Sequence, residues 1–306
     1  MGFDEKLADT AKEVESIIKK YLPKEEGYQK TVIEAMNYSF SAGGKRLRPM
    51  IIYKSYKAFG GQSDYVEPFM AALEMIHTYS LVHDDLPEMD NDDLRRGKPT
   101  THKAYGQAMA VLVGDGLLNY AFETALMAAG MAATDEERLR VLEAIKVLSN
   151  KAGIYGMIGG QVVDVESEKK GTKLSLEQLL FIHENKTAAL LQCALMVGAI
   201  LAGADREEVE TLEEAGKWLG IAFQIQDDIL DVTSTTEVLG KPVGSDEENE
   251  KVTYVSYMGV DRSIEEQKSM SARAVDILKK LEDKSCDNEH MQFLIDLVEY
   301  LVNRKL

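Results

Sequence analysis

Apolar residues recur at three- and four-residue spacing along nearly the whole chain while strand-like alternation is missing, so this sequence is expected to fold as helices packed on helices. The pattern predicts helices over Ala11–Tyr21, Lys30–Phe40, Pro49–Phe59, Tyr65–Leu86, Ala104–Ala129, Asp135–Ala152, Leu176–Leu201 and Glu207–Val232. Further helices are expected in Lys251–Gly259, Ser263–Lys284 and His290–Val302. Breakers fall between them, at Ser41-Ala42-Gly43-Gly44, Gly60-Gly61, Gly97-Lys98-Pro99 and Gly240-Lys241-Pro242-Val243-Gly244. No fixed-period repeat is evident, which argues against a solenoid. At 306 residues the chain approaches the size at which cores divide, yet no Pro-, Gly- or Ser-rich linker interrupts it. Residues 1–306 are therefore expected to form one large all-α domain.

A formal charge of −17 argues against nucleic acid or an anionic membrane as partner, since both demand a concentrated basic footprint. Two cysteines, Cys193 and Cys286, lack the spacing of a disulfide framework, and a reducing, cytoplasmic setting is expected. The charged start MGFDEKLADTAKEVES has no apolar core of a signal peptide, and Lys6 stands where myristoylation requires Ser or Thr. The most apolar run, Ala188–Ala204, is interrupted by Gln192 and has no companion of like length, so it reads as a buried core helix rather than a membrane span.

Two acidic segments, DDLPEMD (Asp84–Asp90) and DDILD (Asp227–Asp231), each end an apolar helical stretch. Carboxylates at this density repel one another, and if both line one cavity they need divalent cations between them. Oxygen ligands favour a hard ion, which points to Mg²⁺ and a phosphorylated substrate. On a helix, Asp227 and Asp231 are one turn and about 40° apart, with Gln224 and Phe223 a turn earlier on the same side. Flanking Ile221, Ala222, Phe223, Ile225, Ile229 and Leu230 make that helix apolar on nearly every side, so the carboxylates are expected to face an internal cavity. Asp84 and Asp90 would be about 120° out of phase on a continuous helix. Pro87 disfavours helix at Leu86, so Glu88–Asp93 are expected to curl back as a loop. An EF-hand is excluded for Asp90, Asn91, Asp92 and Asp93 because Arg95 occupies the position that needs glycine.

In Gly43-Gly44-Lys45-Arg46-Leu47-Arg48-Pro49 a turn leads into a helix start with three cations in four positions, and Arg95 and Arg96 follow the first acidic loop. Such clusters beside carboxylates are either structural ion pairs or diphosphate clamps. His77 lies two turns before Asp84 at about 20° offset and shares its face. His83, about 100° from Asp84, reads as packing. Met109, Met127, Met157 and Met196 read as core filling.

GGKRLRP, LVHDDLPEMDNDDLRRGKPT, GGQVVD (Gly159–Asp164), ENKTAAL (Glu184–Leu190), FQIQDDILD and LGKPVGSD, taken together and in this order, resemble the trans-isoprenyl diphosphate synthases. The resemblance implies an all-α bundle of roughly ten helices around a central cavity, normally a homodimer. It implies that Asp84, Asp90, Asp227 and Asp231 bind Mg²⁺, roughly three ions per site, which grip an allylic diphosphate. Arg95, Lys186 and Lys241 would hold that diphosphate, and Lys45, Arg48, His77 and Arg96 would hold isopentenyl diphosphate. Thr187 and Gln224 would lie near the allylic carbon. Asn91 stands where close relatives often carry another aspartate, with little consequence expected because Asp90 and Asp92 remain.

The implied reaction is head-to-tail condensation: the allylic C–O bond ionises, the isopentenyl double bond attacks the cation, and proton loss restores an alkene. Water must be excluded, and the loop from Ser234 to Glu250 with Lys241 is expected to close over the site. In this family the residue five before the first aspartate influences the cavity floor; here it is Tyr79, followed by Ser80. Although Tyr79 lies about 140° from Asp84 on the wheel, the bulky ring and the insertion holding Pro87 resemble bacterial farnesyl-forming enzymes. A C15 product is expected, with C20 geranylgeranyl diphosphate as the alternative. A class I terpene cyclase is more remote, since its second metal motif is of another type, and a non-catalytic synthase subunit usually lacks one or both aspartate clusters.

Overall fold

The computed structural model describes residues 2–168, 174–233 and 252–303. They are helical almost throughout, in chain order α1 (Phe3–Ile18), α2 (Lys30–Phe40), α3 (Leu47–Ala58), α4 (Glu67–Asp84), α5 (Thr101–Tyr105), α6 (Gln107–Met131) and α7 (Asp135–Ala152). Then come α8 (Met157–Ser167), α9 (Leu176–Ile182), α10 (Ala189–Ala202), α11 (Arg206–Thr233), α12 (Tyr254–Met258), α13 (Val260–Lys279) and α14 (Asn288–Asn303). The all-α expectation holds. Among the described residues the β-structure is one two-residue antiparallel ribbon, β1 (Leu94–Arg95) with β2 (Lys98–Pro99).

The chain divides into two compact units. The first comprises the described residues of Met1–Tyr53 and Gln62–Ile145, and its axis is α4. Pro68, in the first turn, has no N–H to leave unsatisfied and suits a helix start. Phe69 to Ile76 of α4 are all buried, so this helix is apolar round nearly its whole circumference and is wrapped by others. Val14, Ile18, Phe40 and Leu117 from α1, α2 and α6 pack in the same unit, each at most 1% exposed.

The second unit comprises the described residues of Lys54–Gly61 and Lys146–Leu306. Here α10 is buried from Ala189 to Leu201, and Gly203 ends it in the left-handed conformation, its N–H donating to Ala199. Leu176–Ala202 is long and apolar enough to cross a membrane, but 78% of its apolar window is buried inside the protein, as in a core helix. An Ile221, Ile225 and Ile229 stripe on α11 packs with Leu179 and Ile182 of α9 and with Tyr254 and Val255 of α12.

Several elements depart from the periodicity. The expected continuous helix over Leu176–Leu201 is interrupted by a π-helical turn, His183–Ala188, between α9 and α10. Helix α8 falls outside the helices that the apolar spacing predicts, and its paired Gly159 and Gly160 weaken local helix propensity. The first helix begins at Phe3 rather than Ala11, with the Glu5 carboxylate accepting from the Gly2 N–H at 3.1 Å.

Candidate active site

In the first unit, α4 stops at Asp84 and the chain doubles back. The N–H of Met89 donates to Leu86 at 2.9 Å, that of Asn91 to Leu86 at 3.0 Å, and that of Asp90 to the carbonyl of Asp84 at 2.8 Å. Asn91 takes a positive φ of 54°, which asparagine tolerates better than most side chains. The loop expected after Pro87 therefore brings Asp90 beside Asp84. Asp85 points elsewhere: it is buried, and its Oδ1 accepts from Arg95 Nε at 2.7 Å and Nη2 at 2.5 Å. Burial pushes the Asp85 carboxyl up, against the opposing pull of Arg95. Arg95 thus has a structural acidic partner in this state, and reaches Asp92 at 3.4 Å as well.

Arg96 diverges from its neighbour because the ribbon reverses at Arg96-Gly97, both with positive φ, as a two-residue hairpin turn requires. Its guanidinium donates to the carbonyl of Gly43 in the glycine turn before α3. The three cations of that motif have separate fates. Arg46 is buried, held by Glu15, by Glu74 at 2.6 Å and by the carbonyl of Phe40 at 2.7 Å, so it is a structural ion pair. Lys45 is exposed. Arg48 has a buried Nε with no hydrogen-bond partner, and burial makes its protonated form less favourable, against the opposing charge of Glu74 and helped by that of Arg96. His77 is held well below the usual histidine range by burial first and then by Arg48, Arg96, Arg95 and Arg46, so its imidazole is neutral at pH 7. Arg48, Arg96 and His77 are therefore near enough for their charges to act on one another, and the buried Arg48 Nε among them has no hydrogen-bond acceptor, a requirement that a diphosphate oxygen can meet.

Tyr79 is 6% exposed, its hydroxyl has no hydrogen-bond partner, and burial with the nearby Asp84 charge pushes it up to about 12. Its ring meets that of His83 edge-on, centroids 5.9 Å apart at 81°. His83 Nε2 lies 3.2 Å from the carbonyl of Val111 on α6 and sits over Gly114, so His83 packs α4 against α6.

In the second unit the π-turn presents Lys186 and Thr187. It is shaped by close approach: a Cβ on Gly160 of α8 would fall 2.2 Å from the Lys186 backbone nitrogen, and one on Gly220 of α11 would fall 2.3 Å from Ala188 Cα. Lys186 Nζ bonds Asp164 Oδ2 at 2.5 Å. The Thr187 hydroxyl donates to Gln224 Oε1 at 2.9 Å, the Gln224 amide donates to Asp228 Oδ1 at 3.3 Å, and the Tyr254 N–H donates to Asp228 Oδ2 at 2.8 Å. Asp227 is partly exposed and Asp231 is 2% exposed, one turn apart on α11. Lys241 and the loop from Ser234 to Glu250 lie outside the described residues.

Sequence reasoning gave no role to Asp164, Asp85 or Asp228. GGQVVD and DDILD hold two of them, but only the fold shows which oxygen meets which donor. Among the described residues no group of three or more His, Cys, Asp or Glu side chains forms a ready metal cage. Paired carboxylates still fit Mg²⁺, which takes one or two carboxylates and completes its octahedron with water and substrate phosphate.

Fold and motifs together define the class: the chain belongs to the polyprenyl synthetase family, whose model matches residues 29–294. It is 44% identical over 263 residues to the farnesyl diphosphate synthase of Geobacillus stearothermophilus, covering 85% of this chain and 86% of that one. It is 40% identical over 294 residues to the geranylgeranyl diphosphate synthase of Cyanophora paradoxa, covering 95% and 93%. Among solved structures it is similar to the geranyltransferase of Helicobacter pylori complexed with magnesium and isoprenyl diphosphate, at 33% identity, TM-score 0.84 and 99% coverage of both chains.

Proposed function

We propose that the protein is a prenyltransferase that condenses dimethylallyl or geranyl diphosphate with isopentenyl diphosphate to give farnesyl diphosphate, the 306-residue chain acting as one catalytic domain. The observation that carries this reading is the buried Arg48 Nε without a partner, beside Arg96 and a neutral His77. Those groups with Lys45 hold the isopentenyl diphosphate, the two arginines supplying charge and His77 a hydrogen bond without further charge. Lys186, oriented by Asp164, holds the allylic diphosphate together with Arg95 and Lys241. Thr187 and Gln224 turn polar atoms toward the allylic carbon. Asp84, Asp90, Asp227 and Asp231 bind Mg²⁺, roughly three ions, which when bound neutralise the charge of the departing diphosphate. That diphosphate takes up the proton lost at the end.

Tyr79 serves as the floor that limits the product to C15. The protein acts as a homodimer: α6 exposes Leu112, Leu126, Met131 and also Met127, which lies on the surface and not in the core as its apolar character implies, and α7 exposes Leu139 and Leu142, an apolar surface suited to a second copy. The buried thiol of Cys193 and the exposed thiol of Cys286 are in keeping with a cytoplasmic location. The test is incubation with Mg²⁺, isopentenyl diphosphate and each allylic primer, followed by chromatography of the dephosphorylated products. Farnesol as the end product supports this reading, geranylgeraniol moves it to the C20 alternative, and no condensation overturns it.

A further inference from the structure

We propose that Asp228 is a positioning residue rather than a metal ligand: its carboxylate fixes the direction of the hydrogen-bond chain Thr187–Gln224–Asp228 and so decides which part of the Thr187 hydroxyl is left for substrate. This deepens the prenyltransferase reading and rests on it for the role of Thr187.

The two ends of a glutamine amide are nearly the same shape, so only its partners determine which end points where. Asp228 is 5% exposed and stacks one turn after Gln224 on α11. One of its oxygens accepts the Tyr254 N–H, a donor whose direction is set by the first turn of α12. Its other oxygen faces the Gln224 amide nitrogen at 3.3 Å and accepts from it, so both oxygens of Asp228 act as acceptors. That leaves Gln224 Oε1 facing Thr187, and an oxygen acceptor there compels the Thr187 hydroxyl to donate, at 2.9 Å. With its hydrogen committed to Gln224, Thr187 retains only lone pairs for any other neighbour. Lone pairs stabilise a developing carbocation, whereas an O–H hydrogen aimed at it would oppose its formation. Asp227 lies about 100° away from Asp228 on the same helix, on the far side of Asp231.

The arrangement can be broken and rebuilt. In Asp228→Asn the side chain still accepts from Tyr254, but its amide now donates toward Gln224; the glutamine flips, and Thr187 is driven to accept. In Gln224→Glu two carboxylates face each other. In the double variant Gln224→Glu/Asp228→Asn, the new carboxylate at position 224 accepts both from Thr187 and from the new amide at position 228, and Thr187 donates again as in the wild type. Each single variant is expected to lower kcat roughly ten- to a hundredfold, below the ~10²–10³-fold cost of losing a directly acting group. The double variant is expected to recover most of that loss. Isothermal calorimetry with Mg²⁺ and inorganic diphosphate is expected to give the wild-type affinity in Asp228→Asn. Melting temperature is expected to follow the same cycle, lowered in each single variant and restored in the double, and it reads the hydrogen-bond order even if wild-type protein performs no prenyl transfer. A double variant no better than the worse single one, in melting or in kcat, overturns the proposal, as does a tenfold loss of Mg²⁺–diphosphate affinity in Asp228→Asn.

Discussion

The backbone N–H of Asp90 donates to the carbonyl of Asp84 at 2.8 Å, so two aspartates that a continuous helix would hold on different faces are brought side by side by main-chain geometry. Pro87 makes this possible by stopping α4, and the positive φ of Asn91 completes the reversal.

Removal of divalent ions with EDTA is expected to abolish condensation, and Asp84→Ala or Asp227→Ala to lower kcat by orders of magnitude, in a radiolabelled isopentenyl diphosphate assay. Wild-type rates in either variant would show that the aspartates serve another purpose.

Separate anion sites should separate in kinetics. Lys45→Ala and Arg48→Ala are expected to raise KM mainly for isopentenyl diphosphate, and Lys186→Ala to act mainly on the allylic substrate, when each substrate is titrated with the other saturating. Equal effects on both substrates would count against the division.

Tyr79→Ala is expected to leave condensation intact and lengthen the products by further C5 units. Removing a buried ring can cost ~3–5 kcal/mol, so circular dichroism must first show a folded variant. A folded, active variant that still stops at the wild-type length places the floor elsewhere.

The π-turn depends on glycine where backbones meet. Gly160→Ala puts a methyl group against the Lys186 main chain, which cannot move aside as a side chain could. A loss of ~1–3 kcal/mol in urea melts is expected, together with lower kcat as Lys186 and Thr187 shift. An unchanged melt would mean that α8 can retreat without consequence.

His183, 4% exposed, is lowered to about 4 chiefly by burial. Between that value and the ordinary histidine range near 6.5, the unfolded chain takes up a proton that the folded protein refuses, so stability rises with pH across this window and falls on acidification. The contribution lost by pH 4 is on the order of 3 kcal/mol. His183→Asn is expected to flatten the difference between melts at pH 7 and pH 5 relative to wild type; an unaltered difference would show that His183 is protonated without penalty.

Local periodicity by itself determined the helical class and much of its layout: Lys30–Phe40 and Asp135–Ala152 are helices with the bounds their apolar spacing implies, because an amphipathic stripe and its breakers are short-range properties. Pro87 likewise carried the reversal that sets Asp90 beside Asp84. Tertiary structure decided what depends on contacts distant in sequence. Gly159 and Gly160 belong to no helix that the apolar spacing predicts yet lie in α8, and the missing side chain of Gly160 admits the backbone of residues 185 and 186. Three neighbouring cations, Lys45, Arg46 and Arg48, are indistinguishable as a string, yet it is Arg46 that is buried against Glu15 and Glu74, partners 31 and 28 residues away. The same holds for DDILD: its spacing pairs Asp227 with Asp231, but the N–H that claims Asp228 comes from Tyr254, 26 residues on, and a hydrogen bond of that range exists only once the chain has folded.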